Sequence, residues 1–322
     1  MAVRWDLEAD VVAVGSGLGA VGAAIAAHDR GARVVVLEKA GRLGGVCAYG
    51  GGEVFVPNNH KMRELGIADS FEAGRRYLEF ISAGFADPRL QKRLLDTMHE
   101  AVEYFEREAG VRWTAVEGLP DYYYPDAPGS HAGGRYLSVE LFPGASLGPW
   151  QAKTYPMTPH VPPGVLHREL YAWGGLANVT RWDYELVGKR LAEDLRSFGP
   201  GMMGWFVKAA MLDRGIPAHV ETPVRALVAE DGRVVGVRAE QQGRDLFVRA
   251  RRGVVLGVGG YDMNRELARQ FEAMPDWNSA CPPHVDGDHL VMAGEIGAAL
   301  AAVPPTDLAM FYGYNIPGEE HD

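Results

Sequence analysis

The sequence predicts an α/β protein: a parallel sheet, an antiparallel β-meander, and the start of a second unit at its end. Three stretches carry that prediction. Residues 10–38 read as strand, glycine-rich turn, helix and strand. Residues 216–251 change to the alternation of short antiparallel strands. Residues 252–260, RGVVLGVGG, are another buried strand ending in glycines, able to rejoin the sheet beside the first.

In the first stretch, Val11, Val12 and Val14 form the apolar run of a buried parallel strand. Gly15-Ser16-Gly17 follows as a tight turn, and Leu18 to Arg30 has the length and small-residue spacing of a helix that Gly31 ends. Arg33 to Leu37 is a second strand, closed by Glu38. Each residue type has a physical task. Gly15 permits the sharp turn, and Gly17 lets the backbone approach a pyrophosphate. Ala20 is the small residue where helix meets strand, and the helix N-terminus offers free N–H groups to phosphate. Glu38 lies about 20 residues on, where a carboxylate accepts hydrogen bonds from a ribose diol. The unit therefore predicts dinucleotide binding.

Composition narrows the class. With 322 residues, 47% hydrophobic and 23% charged, the chain is long enough for one large or two ordinary globular domains. A net charge of −10 without a long basic run argues against a nucleic-acid partner. Two cysteines, Cys47 and Cys281, exclude a disulfide framework and a multi-cysteine metal site, and suit a cytoplasmic protein. The apolar stretch 11–27 is preceded by Glu8 and Asp10 and broken by glycines, so neither a signal peptide nor a membrane span is expected.

Beyond Glu38, five glycines fall within residues 44–52, too many for a helix or a strand interior. Such a loop can lay backbone N–H groups against an anion or a flat ring. Cys47 within it is either a cofactor contact or a buried, inert thiol. Residues 53–66 read as irregular. Helices are expected over Phe71–Ala83, N-capped by Ser70, and Pro88–Ala109, N-capped by Asp87 and stopped by Gly110. Leu90, Leu94, Met98, Val102 and Phe105 share a face of the second and are assigned to the core. Asp121-Tyr122-Tyr123-Tyr124-Pro125 lies in a Pro- and Gly-rich loop that ends in Gly133-Gly134-Arg135. Its tyrosines either serve acid–base chemistry or anchor the loop. Residues 140–182 are aromatic and irregular, a lid or an excursion.

Helices return at Tyr184–Phe198 and Met202–Gly215. Val220, Val224, Leu227 and Val228 then suggest one strand, Glu230–Arg233 a hairpin turn, Val234–Val237 a second strand and Leu246–Ala250 a third. His284-Val285-Asp286-Gly287-Asp288-His289 brings two imidazoles and two carboxylates together before a Leu290–Ile296 helix. No third cluster joins them, and no metal is assigned.

Together these pieces resemble the flavoprotein superfamily of fumarate reductases and 3-ketosteroid dehydrogenases. The matching residues are Val14-Gly15-Ser16-Gly17-Leu18-Gly19, Leu37-Glu38-Lys39, Gly44-Gly45, Gly51-Gly52 and Pro57. The Asp121–Pro125 segment, Gly133-Gly134-Arg135, residues 252–256 with Gly259-Gly260, and Gly287-Asp288 continue the match in the family's order. The aromatic segment followed by Gly-Gly-Arg looks most like the 3-ketosteroid Δ1-dehydrogenase branch.

The resemblance implies a Rossmann-like FAD-binding domain over 1–278 and the beginning of a substrate-binding (cap) domain over 279–322. It implies non-covalent FAD, because the family's flavin-linking histidine has no counterpart in the 44–52 loop. Residues 15–20, including Leu18, Gly19 and Ala20, with Glu38 and Lys39 would hold the ADP half. Gly44, Gly45, Val46, Cys47, Gly51 and Gly52 would face the pyrophosphate and flavin. Val224 would meet adenine through its backbone, and Gly259, Gly260 and Asp288 would lie near the cofactor. Val46, Cys47 and Gly50 stand where hydroxyl residues are usual in the family.

The implied reaction is dehydrogenation of a flat apolar ketone such as a 3-ketosteroid, with hydride passing to flavin N5 and a tyrosine assisting removal of a proton. That tyrosine is Tyr124 if aligned from the proline and Tyr123 if aligned from the aspartate. A fumarate-type reduction of small dicarboxylates is the alternative, but it needs an Arg and His cluster, and only Arg135 and His131 offer themselves. Family members continue past Glu319-Glu320-His321-Asp322 to a return segment that faces the flavin. The chain is thus expected to be a fragment, to be completed by a second polypeptide, or to fold alone as a half-open FAD-binding subunit.

Overall fold

A computed structural model describes residues 3–159, 163–272 and 277–301. The expected cap unit at 279–322 therefore lies partly outside the described residues. Strand β1 (Leu7–Val14) leads into helix α1 (Leu18–His28) and strand β2 (Val34–Leu37), the predicted unit. Residues 53–66, expected to be irregular, hold strand β3 (Val54–Phe55) and helix α2 (His60–Glu64). Asn59 caps α2 by accepting from the Met62 N–H at 2.9 Å. Both elements are too short to show a period. Helices α3 (Phe71–Ile81) and α4 (Pro88–Ala109) follow with Ser70, Asp87 and left-handed Gly110 at their ends as expected.

The core face of α4 differs from expectation. Leu95, Val102 and Ala109 are buried, whereas Leu90 and Leu94 are 70% and 51% exposed. Leu95 faces α3 beneath Gly74, which leaves Leu90 and Leu94 on the solvent side.

Strands β4 (Trp113–Ala115) and β5 (Tyr136–Val139) then form a three-stranded sheet with β3, in the order β3-β5-β4. Strand β6 (Phe142–Pro143) precedes 3-10 turns over Gly144–Lys153, helix α5 (His167–Ala172) and helix α6 (Tyr184–Ala192). The helix expected to reach Phe198 stops at Ala192. Asp194 takes a φ of 50°, and strand β7 (Leu195–Arg196) pairs with β6. Helix α7 (Phe198–Val207) begins earlier than expected and runs on as a π-helical turn over Lys208–Leu212. Pro200 fits its first turn, where the N–H it lacks has no helical partner.

The expected strand across Val220 and Val224 is two strands. β8 (Ala218–His219) runs parallel to β2, and β9 (Val224–Glu230) lies at the opposite edge. Glu221 has a φ of 51° and Pro223 lacks an N–H, so the chain leaves the sheet between them. The hairpin to β10 (Arg233–Gln241) is as expected. The third meander strand and the returning parallel strand are one continuous β11 (Arg244–Leu256). Its early half is antiparallel to β10, and it runs parallel to β1 from Val248 onward. The arginine run does not interrupt it, because Arg249 and Arg251 project to Glu8 on β1. Helix α8 (Arg265–Glu272) and helix α9 (Asp288–Glu295) end the described chain, α9 starting two residues before its expected Leu290.

The main sheet has the order β8-β2-β1-β11-β10-β9. It is buried on both faces, which explains the unbroken valine runs. Ala13, Val34 and Val36 face a core with α1 and α7, including Ile25 and Phe206. Val12, Val14, Val35 and Leu37 face a second core with Val224, Val237 and Met292.

Candidate cofactor site

A cavity of about 310 Å³ opens where β1 and β2 end, the usual ligand position in a parallel sheet. Gly15, Ser16, Gly17, Leu18 and Gly19 line it at the first turn, and Glu38 and Lys39 at the end of β2. Gly45, Val46 and Cys47 line it from the glycine-rich loop, and Val224, Gly259 and Asp288 from the far side. That loop is not wholly irregular: Gly45–Ala48 makes one 3-10 turn.

The first turn is shaped for close approach. Gly15 has a φ of 90°, and a Cβ there would sit 2.4 Å from the Gly257 carbonyl oxygen. A Cβ on Gly19 would point into open space beyond its own helix. Gly17 caps α1 without any side-chain hydrogen bond. The Leu18 N–H meets only a weak acceptor, Cys47 Sγ at 3.4 Å. The N-terminus of α1 thus keeps its capacity for an anion. Burial pushes the Cys47 thiol above its ordinary value, so it stays neutral beside that anion site.

Glu38 is only 6% exposed. Its Oε2 accepts from Ser16 Oγ at 2.5 Å and its Oε1 from the Ala40 N–H at 2.7 Å. Ser16 Oγ also accepts from the Gly44 N–H at 2.9 Å. Gly44 therefore supports the site without lining it.

Other nominated residues also stand behind the wall. Ala20 lies against Gly257, where a Cβ would come within 2.6 Å of the Ala20 Cβ. The small residue that α1 needs on β11's exit was thus missed by the sequence reading. A Cβ on Gly51 would strike the Glu53 carboxylate, and one on Gly52 would lie 2.4 Å from the Phe198 carbonyl carbon. Gly52 serves the contact between this loop and the start of α7. A Cβ on Gly260 would fall 2.6 Å from Asp262 Oδ2.

The sequence reading also missed Tyr155 and the 282–285 segment, which close the cavity through Pro282, His284 and Val285. Tyr155 is edge-on to Tyr49 at 5.1 Å, with the Arg42 guanidinium 5.5 Å from its ring. Burial, helped by Tyr49 and the Glu38 charge, pushes its phenol up to about 12. Its only signal was membership of an aromatic stretch. Lys39 Nζ forms ion pairs with Asp286 and, at 2.8 Å, Asp288. These two carboxylates of the 284–289 cluster thereby clasp the end of β2. Among the described residues no group of three or more His, Cys, Asp or Glu side chains forms a metal-ligand set.

Tyr123 and Tyr124 are not brought to the cavity. Each is more than one-third exposed. Tyr123 lies edge-on to Phe80, centroids 6.3 Å apart. Tyr122 stacks on Tyr136 at 5.7 Å. The loop is anchored by Asp121, which accepts from Arg135 Nη1 at 2.7 Å and from the His131 N–H at 2.9 Å. Arg135 also bonds Asp69 at 2.7 and 2.8 Å, so the arginine is wholly buried in structural pairing.

No described helix is long and apolar enough to cross a membrane. The chain is 30% identical over 311 residues to a 3-oxosteroid 1-dehydrogenase of Mycobacterium tuberculosis, covering 91% of this chain and 55% of the relative. It is 32% identical over 295 residues to the 4-oxocyclohexanecarboxylate 2-dehydrogenase of Sinomonas cyclohexanicum, covering 90% of this chain and 50% of the relative. A crystal structure of 3-ketosteroid Δ1-dehydrogenase from Sterolibacterium denitrificans, in complex with 1,4-androstadiene-3,17-dione, superposes with a TM-score of 0.75 at 32% identity. That match covers 91% of this chain and 55% of the solved one. The chain thus spans about half the length of the relatives it matches. A family model described as FAD binding domain matches residues 10–312, and with the cavity built on that same stretch the chain belongs to this family of FAD-binding flavoproteins.

Proposed function

We propose that this chain is the FAD-binding part of a dehydrogenase that introduces a carbon–carbon double bond beside the carbonyl of a flat, apolar ketone such as a 3-ketosteroid. One observation carries the cofactor half of this reading. The side-chain-uncapped start of α1 faces a cavity whose other wall is the buried carboxylate of Glu38. That donor and acceptor set suits the diphosphate and ribose of FAD, held without a covalent bond. We assign residues 1–278 to the FAD-binding domain and 279–322 to the beginning of a substrate-binding domain. Two cysteines with no disulfide between them suit a cytoplasmic setting.

When bound, FAD supplies the hydride acceptor. The chain's own residues hold and orient. Glu38 receives the ribose hydroxyls while Ser16 keeps its carboxylate in place. The amides of the first turn meet the diphosphate, and Tyr155 with Val46 closes the apolar side of the cavity. Proton removal is assigned to the tyrosine loop. Tyr122 joins Tyr123 and Tyr124 as a candidate, because its stacking on Tyr136 turns it toward the sheet β3-β5-β4. We place the remaining substrate-facing groups in the length of the relatives that this chain does not span, in the same polypeptide or a second one.

The fumarate-type alternative is weaker on the geometry. Arg135 is committed to Asp69 and Asp121, and His131 Nδ1 lies 2.6 Å from the Gly133 carbonyl oxygen. Neither is free to receive a dicarboxylate. The deciding experiment is an absorption spectrum of the chain after incubation with FAD and removal of excess, followed by anaerobic addition of a 3-ketosteroid to the completed protein. A retained flavin band that bleaches supports the reading. A colourless chain, or a band that no 3-ketone reduces, overturns it.

A further inference from the structure

A second polar cluster lies beyond the Gly51-Gly52 end of the cofactor loop. Strand pairing builds it. Val54 sits opposite Leu137 and Phe55 opposite Tyr136, so Glu53 is next in register to Ser138. His167, the first residue of α5, fills the space between them. Its Nε2 pairs with Glu53 Oε1, and its Nδ1 lies 2.7 Å from Ser138 Oγ. The ring is 4% exposed and meets Phe198 edge-on at 4.5 Å; Ser138 is 1% exposed.

A neutral imidazole with its hydrogen on Nε2 uses every donor in this chain. Ser138 O–H donates to Nδ1, and Nε2–H donates to Glu53. An imidazolium would leave the buried Ser138 hydrogen in need of another acceptor. The arrangement holds the Glu53 carboxylate, 24% exposed, at the edge of the sheet. Among the described residues, the arginines of the neighbouring elements are committed elsewhere: Arg168 to Glu140, Arg190 to Glu169, and Arg135 to Asp69 and Asp121. Three phenols feel that carboxylate. Burial first, and then Glu53, raises Tyr122, while burial with Glu53 and Tyr122 pushes Tyr171 up to about 12. Tyr136 is also raised, by burial and then by its neighbours, Tyr122 and Glu53 among them.

We propose that the Glu53 carboxylate, braced by His167 and Ser138, determines substrate charge at the reacting face, admitting neutral cyclic ketones and turning away ketones that carry a carboxylate. This rests on the function proposed above. A fixed anion in a low-dielectric wall repels a second anion strongly and leaves a neutral ligand unaffected. The phenols, O–H donors at neutral pH, suit a carbonyl oxygen.

The test uses a matched pair, 4-oxocyclohexanecarboxylate and its methyl ester, which differ by one charge. Binding to the FAD-loaded protein is read from perturbation of the flavin band, without turnover. The ester should bind the wild type at least about tenfold more tightly than the acid. Glu53→Gln should bring the ratio below about three, chiefly by improving the acid. Glu53→Met serves as a second variant if circular dichroism shows the first misfolded. A separate readout needs neither cofactor nor ligand: phenol absorbance against pH should show tyrosines of Glu53→Gln ionising earlier than in the wild type. A wild-type ratio near one, or a ratio or phenol titration unchanged in the variants, overturns the proposal. If neither compound perturbs the band, the functional reading fails and takes this inference with it. If the ester binds and the ratio ignores residue 53, only this inference falls.

Discussion

Ser16 Oγ donates to Glu38 Oε2 at 2.5 Å and accepts from the Gly44 N–H at 2.9 Å. One hydroxyl thus couples the first turn, the acid at the end of β2 and the start of the glycine-rich loop. Ser16→Ala removes a hydrogen bond to a carboxylate and leaves the Gly44 N–H without its acceptor. Bonds to charged groups are worth about 1.5–3 kcal/mol. FAD affinity, followed by quenching of flavin fluorescence on titration, should fall by tenfold or more. An unchanged dissociation constant would show that Glu38 is held by Ala40 alone.

Lys39 ties β2 to the 284–289 segment, its partners lying 247 and 249 positions further along the chain. Burial disfavours its charge, but Asp286 and Asp288 outweigh that and raise its affinity for a proton. The side chains are 24–37% exposed, so solvent screens the pairs and about 1 kcal/mol is a fair scale. Lys39→Met should therefore speed FAD release severalfold in a stopped-flow displacement assay. Raising salt should speed release from the wild type and have little effect on the variant.

Arg135 joins two buried carboxylates. Burial opposes the charge on Asp69, yet Arg135 holds that carboxyl below its usual range. At Asp121 burial prevails and the carboxyl is pushed up. Arg135→Met would leave both carboxylates without their cation at a cost of about 3–5 kcal/mol. Guanidinium unfolding should show that loss, with Arg135→Lys recovering only part of it because one ammonium cannot reproduce the fork to Asp69 together with the bond to Asp121. Equal stability of the methionine variant would refute the account.

Asp29, the C-cap of α1, accepts from Arg214 at 2.7 Å through two nitrogens and from Tyr104 at 2.6 Å. The Arg214 bond holds the Asp29 carboxyl far below the usual range. A lowered folded value means that its contribution is present above the unfolded value near about 4 and fades as pH falls below it. Burial, with the bond to Asp29, pushes the Tyr104 phenol up to about 12. That contribution is full below about pH 10 and fades as pH rises toward 12. Asp29→Asn should cost about 1–3 kcal/mol at neutral pH. It should also flatten both limbs of the stability profile, measured by denaturation across pH 3–11.

Two glycines separate folding from cofactor contact. Gly52 has a φ of 70° and no room for a Cβ against Phe198 and Gly199. Gly19 has open space. Gly52→Ala should lower the melting temperature by several degrees, while Gly19→Ala should leave it nearly unchanged and weaken FAD binding. Calorimetry without FAD, followed by flavin titration, distinguishes them.

Local sequence determined the parts whose chemistry is local. The turn at Gly15–Gly17, the helix it opens, the acid at Glu38 and the caps Ser70, Asp87 and Gly110 are each recognised by neighbours within one turn or one strand. The superfamily followed from the order of the glycine-rich turns, Glu38, the Asp121–Pro125 segment and Gly133-Gly134-Arg135 along the chain, and the match over residues 10–312 agrees with it. Tertiary structure alone decided what depends on partners distant in the chain. Gly257 is required small because Ala20 of α1 presses on it. β11 is one strand because its first half pairs with β10 and its later part with β1, where Glu8 lies beside Arg249 and Arg251. Tyr155 reaches the cavity because Leu43 donates its N–H to the Lys153 carbonyl oxygen. Glu53, His167 and Ser138 meet only through the register of β3 on β5 and the docking of α5. No period or spacing in a single segment encodes such meetings, since they are set by which faces of separate elements become buried together.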